Sequence, residues 1–228
     1  MACVFCRAYR RQAIYNPISL EGIFDMNEKI LVRIDFQNDF VHPHGLLTIS
    51  DTDLIEKHQK FADSLFKGSF DKIIDSYDTH FNETYPNTLE AQNYGIHCVF
   101  GTWGWQQAAP FKRELNVMPI YKSTTNIWNE AKAYKDLSDN WNGKDVYLCG
   151  VLSDVCVVQA LNGFLKKGAN VIVIEDLCKG LNEEITDILK NDVYQTFINE
   201  GRLKSITSQQ FFRSSLLAKK IEHNMVKY

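Results

Sequence analysis

Apolar residues follow two rhythms along this chain. Short, near-continuous apolar runs occur at residues 28–36 (EKILVRIDF), 70–78 (FDKIIDSYD), 117–123 (VMPIYKS), 145–151 (DVYLCGV), 169–176 (ANVIVIED) and 203–207 (LKSIT). Runs of this kind read as strands buried on both faces. Between them the spacing becomes helical. Leu54, Ile55, His58, Phe61, Ala62, Leu65 and Phe66 recur at helical intervals behind Ser50 or Asp51, either of which can cap a helix running to Lys67. A second helix is predicted after Val151 and stops at Gly168, a third spans about 182–199, and a last one about 209–222. Strands alternating with helices predict an α/β protein with a three-layer α/β/α, doubly wound fold and a mainly parallel six-stranded sheet. The active crevice of such a sheet lies at the carboxyl ends of its strands.

One stretch breaks the alternation. Residues 79–114 carry no clear period and are rich in Asn, Gly, Tyr and Trp. A loop of that length is usually functional or disordered, and its aromatics Tyr85, Tyr94, Trp103 and Trp105 favour order. No repeat or Pro/Gly-rich linker divides the chain. We therefore expect one domain over 26–228, preceded by a flexible amino-terminal extension, 1–25.

Composition narrows the partners. The chain has 228 residues, 45% of them hydrophobic, which suffices for one sizeable core. A formal net charge of −3 disfavours nucleic acid or an anionic membrane surface as partner. No apolar run approaches membrane-spanning length. The first residues put apolar side chains before the charges, the reverse of a secretory signal. Six cysteines in a chain this long suggest reduced thiols and a cytoplasmic setting. Cys3 and Cys6 form a C-x-x-C pair without the partners a zinc site needs, and are read as part of the flexible tail.

The candidate chemistry gathers at the predicted strand ends. Asp35 ends the first strand, Lys122 ends the third, and Cys156 follows the fourth in the first turn of its helix. Each has an ordinary explanation alone: a turn cap, a solvent lysine, a core thiol. Together they offer a thiol nucleophile, an ammonium beside it and a carboxylate to move its proton. A helix amino terminus and the ammonium are expected to lower the thiol pKa. A second group, Asp78, His80 and His97, offers ligands suited to Zn2+, Fe2+ or Mn2+.

The motifs IDFQNDF and GVLSDVCV, with Lys122 between them, resemble those of the isochorismatase-like cysteine hydrolases, and the Asp-x-His pair with a later His resembles the nicotinamidase branch. The resemblance runs from about 28 to 207. It implies Asp35, Lys122 and Cys156 as a catalytic triad, a cis peptide at Val151–Leu152, and an oxyanion hole from the backbone N–H groups of Leu152 and Cys156. It implies one divalent transition metal, zinc first, on Asp78, His80, His97 and a fourth ligand: Glu90, with Glu83 or water as alternatives. It implies that Phe40 and Tyr94 sandwich a pyridine ring, although Trp is more usual at the second position. The expected activity is hydrolysis of nicotinamide to nicotinate and ammonia through a cysteine thioester, in NAD salvage. Another carboxamide or ureido hydrolase and a catalytically idle binding relative are the alternatives, and a homo-oligomer is expected. His42 and His44 are read as exposed turn residues, Cys149 as strand filler, and Asp154 as a cap for the helix of Cys156.

Overall fold

A computed structural model describes residues 27–214. The six apolar runs form one parallel sheet from β1 (Lys29–Ile34), β2 (Lys72–Asp78), β3 (Val117–Lys122), β4 (Asp145–Val151), β5 (Asn170–Lys179) and β6 (Leu203–Ile206), in the order β3-β2-β1-β4-β5-β6. Ile30, Leu31, Val32 and Ile34 of β1 are all fully buried. Successive strand residues point to opposite faces, so both faces of the sheet are covered. The chain order reverses between β1 and β4. At such a switch point the loops after neighbouring strands diverge and open a crevice. Gly150 lies at this seam with φ +120°, and a Cβ there would meet the Ile34 carbonyl oxygen at 2.1 Å.

The helices agree in part with the apolar periodicity. After the short α1 (Asn38–Val41), α2 (Thr52–Ser64) begins where Asp51 Oδ1 accepts the Leu54 N–H at 2.8 Å. It ends before Lys67 because the chain turns extended at Leu65. The irregular stretch contains a 3-10 turn at Tyr85–Asn87 and α3 (Leu89–Tyr94), capped by Thr88. Next come α4 (Lys135–Ser138) and α5 (Val158–Lys166). Trp128 and Trp141 both meet Phe164 of α5 edge-on, with centroids 4.7 Å apart. Gly163 allows this, since a Cβ there would lie 1.7 Å from the Trp128 indole nitrogen.

Three expectations need correction. The helix predicted over 182–199 is two, α6 (Ile185–Ile188) and α7 (Asp192–Asn199), because Asn191 turns extended and caps α7 by accepting the Val193 N–H. β5 runs past 176 to Lys179. Cys156 lies not in the first turn of an α-helix but in a π-helical turn, Ser153–Val157, that precedes α5. Residues 208–214 are helical. The extension 1–25, its Cys3–Cys6 pair and the rest of the last predicted helix lie outside the described residues. Among the described residues no helix is long and apolar enough to cross a membrane.

Candidate active site and metal centre

The strand ends bring Asp35, Lys122 and Cys156 together. Lys122 Nζ lies 2.7 Å from Asp35 Oδ2 and 3.8 Å from Cys156 Sγ. Asp35 is fully buried, takes a left-handed φ of 49° just past β1, and accepts a hydrogen bond from the Ser76 hydroxyl at 2.7 Å. A non-glycine residue in that conformation carries strain that its surroundings must hold in place. Between β4 and the π-helical turn, the Val151–Leu152 peptide is cis, as the resemblance implies.

Burial governs the charges here. It pushes the Cys156 thiol well above its ordinary pKa, with Lys122 opposing and Asp35 and Asp78 adding to the rise. The expectation of a lowered thiol pKa is thus corrected: desolvation exceeds the pull of one ammonium already shared with two carboxylates. Lys122 stays an ammonium, because against the cost of burial Asp35 and Asp78 raise its pKa. Burial also lifts the Asp35 carboxyl, although Lys122 opposes it. Burial pushes the Cys149 thiol up to about 12, with the Arg33 guanidinium opposing.

Beside this trio, Asp78, His80, Glu90 and His97 bring ligand atoms within 4.8 Å of one another. Asp78 Oδ2 is 2.8 Å from His80 Nε2 and 3.2 Å from His97 Nε2, while its Oδ1 is 3.2 Å from Lys122 Nζ. Asp78 therefore belongs to both groups. Despite burial, Lys122 and the two imidazoles hold its carboxyl well below the ordinary range. His97 Nδ1 lies 3.0 Å from the Gly95 carbonyl oxygen, which can only accept. Nδ1 then carries the hydrogen, and Nε2 turns its lone pair toward the cluster. Two imidazoles and two carboxylates at this spacing suit a divalent transition metal. Glu90 joins because Thr88 caps α3 by accepting the Ala91 N–H, whereas Glu83 is exposed.

A pocket connects the two groups, lined by Phe40, Leu47, Tyr94, Leu152, Val155 and Thr125, with Cys156 on one side and Asp78, Glu90 and His97 on the other. Phe40 is buried and Tyr94 partly exposed. His42 packs edge-on against Trp103, and His44 is exposed, both apart from the cluster. Asp154 does not cap its own helix. It accepts the N–H groups of Leu181 and Asn182 at 2.9 and 2.8 Å, tying the loop after β5 to the π-helical turn.

Sequence reasoning missed several supports. Gln37 clamps the backbone of Asp78, its Oε1 accepting the Asp78 N–H and its Nε2 donating to the Asp78 carbonyl. Asp39 Oδ2 accepts the Cys98 N–H at 2.7 Å, fixing the turn beside His97, where Cys98 takes a left-handed φ of 45°. Both lie in IDFQNDF, so a polar side chain inside an apolar motif was the available signal. Thr125 in the pocket wall carried none.

The isochorismatase domain family matches residues 29–199, most of the chain. The chain belongs to that family. This isochorismatase-family chain is similar in structure to the pyrazinamidase of Pyrococcus horikoshii in complex with zinc, at 22% identity and TM-score 0.58, covering 79% of this chain and 99% of that one. PnC1 from L. infantum in complex with nicotinate matches at 20% identity and TM-score 0.59, over 80% of this chain and 94% of that one. N-carbamoylsarcosine amidase from Thermoplasma acidophilum matches at 19% identity and TM-score 0.52, over 79% and 96%. At such identities these similarities establish the fold. Curated proteins give no match to this sequence.

Proposed function

We propose that this isochorismatase-family hydrolase is a nicotinamidase, releasing nicotinate and ammonia from nicotinamide in cytoplasmic NAD salvage. One observation carries the reading: the pocket joins a thiol to a metal-type cluster through an apolar slot. A flat, neutral ring bearing an amide at one end and a lone pair at the other suits it. The residues lining that pocket include no Lys or Arg of the kind that would pair with the carboxylate of a carbamoylated amino acid. The zinc of one structural neighbour and the nicotinate of another support the same reading. The cysteines among the described residues are free and buried, as suits a reducing compartment.

In this reading the thiol proton of Cys156 passes to Asp35 as Sγ attacks the amide carbon. Lys122, 2.7 Å from Asp35 and 3.8 Å from Sγ, steadies the negative charge as it moves between them. The backbone N–H groups of Leu152 and Cys156 take the developing oxyanion. When the tetrahedral adduct collapses, the C–N bond breaks and Asp35 delivers its proton to the departing ammonia. Asp35 then takes a proton from water as the water oxygen attacks the thioester. The proton returns to Sγ as the acid leaves. Asp78, His80, Glu90 and His97 would hold the metal, which supplies a Lewis-acid anchor for the pyridine nitrogen. Phe40 and Tyr94 would flank the ring.

The test compares ammonia release from nicotinamide, benzamide and N-carbamoylsarcosine by the purified full chain. Nicotinamide should be the preferred substrate, with benzamide penalised mainly in KM. A preference for N-carbamoylsarcosine would sink the proposal.

A further inference from the structure

Tyr85 touches both imidazoles of the metal cluster, and nothing in the proposed reaction uses it. Its ring lies flat on His80, centroids 3.6 Å apart and planes 2° from parallel. It meets His97 at 86°, and its hydroxyl is 3.0 Å from His97 Nδ1 and 3.3 Å from Nε2 while donating to the Gly95 carbonyl at 3.3 Å. The ring is 2% exposed. It sits in the 3-10 turn Tyr85–Asn87, whose end is joined to α3 by Thr88: the Thr88 N–H and Oγ–H both donate to the Tyr85 carbonyl oxygen. The side chain thus holds the plane of the first imidazole and braces the second, while its backbone carbonyl anchors the start of the helix that carries Glu90.

The local chemistry favours a bracing role. His80 extends from the end of a strand, but His97 and Glu90 come from a segment with little regular structure. Imidazole ligands need their other ring nitrogen engaged to hold one tautomer and one orientation. For His97 that nitrogen is shared between the Gly95 carbonyl and the Tyr85 hydroxyl. A buried tyrosine suits this task because its ring packs while its hydroxyl finds partners.

We infer that Tyr85 is a positioning residue for the metal site, setting divalent-metal affinity through the stacked ring and the hydroxyl, an inference that rests on the metal reading above. The test measures zinc affinity of the full chain by competition with a chromophoric chelator, and the absorption spectrum after cobalt substitution. Tyr85→Leu, which loses ring and hydroxyl, should weaken zinc binding by about 10- to 100-fold and alter the cobalt spectrum. Tyr85→Phe keeps the packing and loses only the hydroxyl, so a loss of roughly 2- to 10-fold is expected. Should Tyr85→Leu fail to fold, Tyr85→Phe decides alone, and wild-type affinity there overturns the inference. Zinc that binds wild type and Tyr85→Leu alike, yet is lost in His97→Ala, overturns the role of Tyr85 and leaves the metal reading standing. A wild-type chain without a zinc site overturns both.

Discussion

The two halves of the pocket are built differently. Asp35, Lys122 and Cys156 stand at the carboxyl ends of β1, β3 and β4, and all three are buried. Sheet register fixes their spacing. Of the metal-type cluster, only Asp78 and His80 rest on a strand end, while Glu90 is half-buried on a six-residue helix and His97 sits in a turn. The contrast is between a centre held by the core and one that needs braces. Catalytic groups must keep near-attack geometry, and buried strand ends supply it. Asp78 joins the halves, with one oxygen toward Lys122 and the other toward the imidazoles.

The largest effect should separate the two cysteines. Cys156→Ala should lower kcat by roughly 10^4-fold or more, since no neighbour supplies another nucleophile, whereas Cys149→Ala should leave the rate nearly unchanged. Ammonia release and urea unfolding of both variants would check this, and a dead Cys149→Ala beside an active Cys156→Ala would contradict it. Next comes the shared residue. Asp78→Asn should cost more zinc affinity than the roughly 100-fold typical of supporting residues, and should also speed alkylation of Cys156, because the Asp78 charge adds to the rise of the thiol pKa. An unchanged alkylation rate would show that the halves are independent.

Within the cluster, His97→Ala should raise KM for nicotinamide more than Glu90→Gln, because water can replace a half-buried carboxylate more easily than the buried, braced imidazole. Equal KM values would remove that asymmetry. On the other side, the pH profile should report Asp35. Burial raises its pKa, and it must be a carboxylate to accept the thiol proton. Activity should be present above that raised pKa and fall as pH drops through it, at higher pH than an ordinary Asp would give. This apparent value would belong to the Asp35–Cys156 pair.

The smallest effect concerns the scaffold. His58 is buried, stacked on Phe36 at 3.5 Å, with Nε2 2.9 Å from the Leu177 carbonyl. Burial, with Arg33 nearby, holds its pKa well below the ordinary value. The unfolded chain therefore binds the proton first. Stability is full above about pH 6.5 and is lost progressively as pH falls from there toward the depressed folded value. His58→Gln should flatten that slope in urea midpoints, and an identical slope in the variant would assign it elsewhere.

Much of this architecture was legible in the sequence, for definite reasons. β1 and β4 read as strands because both faces are buried and the runs are nearly all apolar. The trio was legible because polar residues ending such runs are few. The split between α6 and α7 was not, since Asn191 resembles any helical Asn until its side chain is seen to cap. Nor was the raised pKa of Cys156, because its motif names its neighbours but not its depth. Tyr85 was visible only as an aromatic that favoured order; its contact with two imidazoles needs the fold that brings His80 and His97 together. Glu90 and Glu83 were separable only once the Thr88 cap set which carboxylate turns inward.

The central claim is that one pocket pairs a cysteine nucleophile with a metal that orients the ring. Its most direct test is the kinetics of ammonia release from nicotinamide by a single preparation as purified, after chelation, and after zinc is restored. The account predicts a KM at least about tenfold higher in the chelated protein, returning with zinc, and abolition of turnover by Cys156→Ala in every state. Metal-free protein with an unchanged KM for nicotinamide would contradict it.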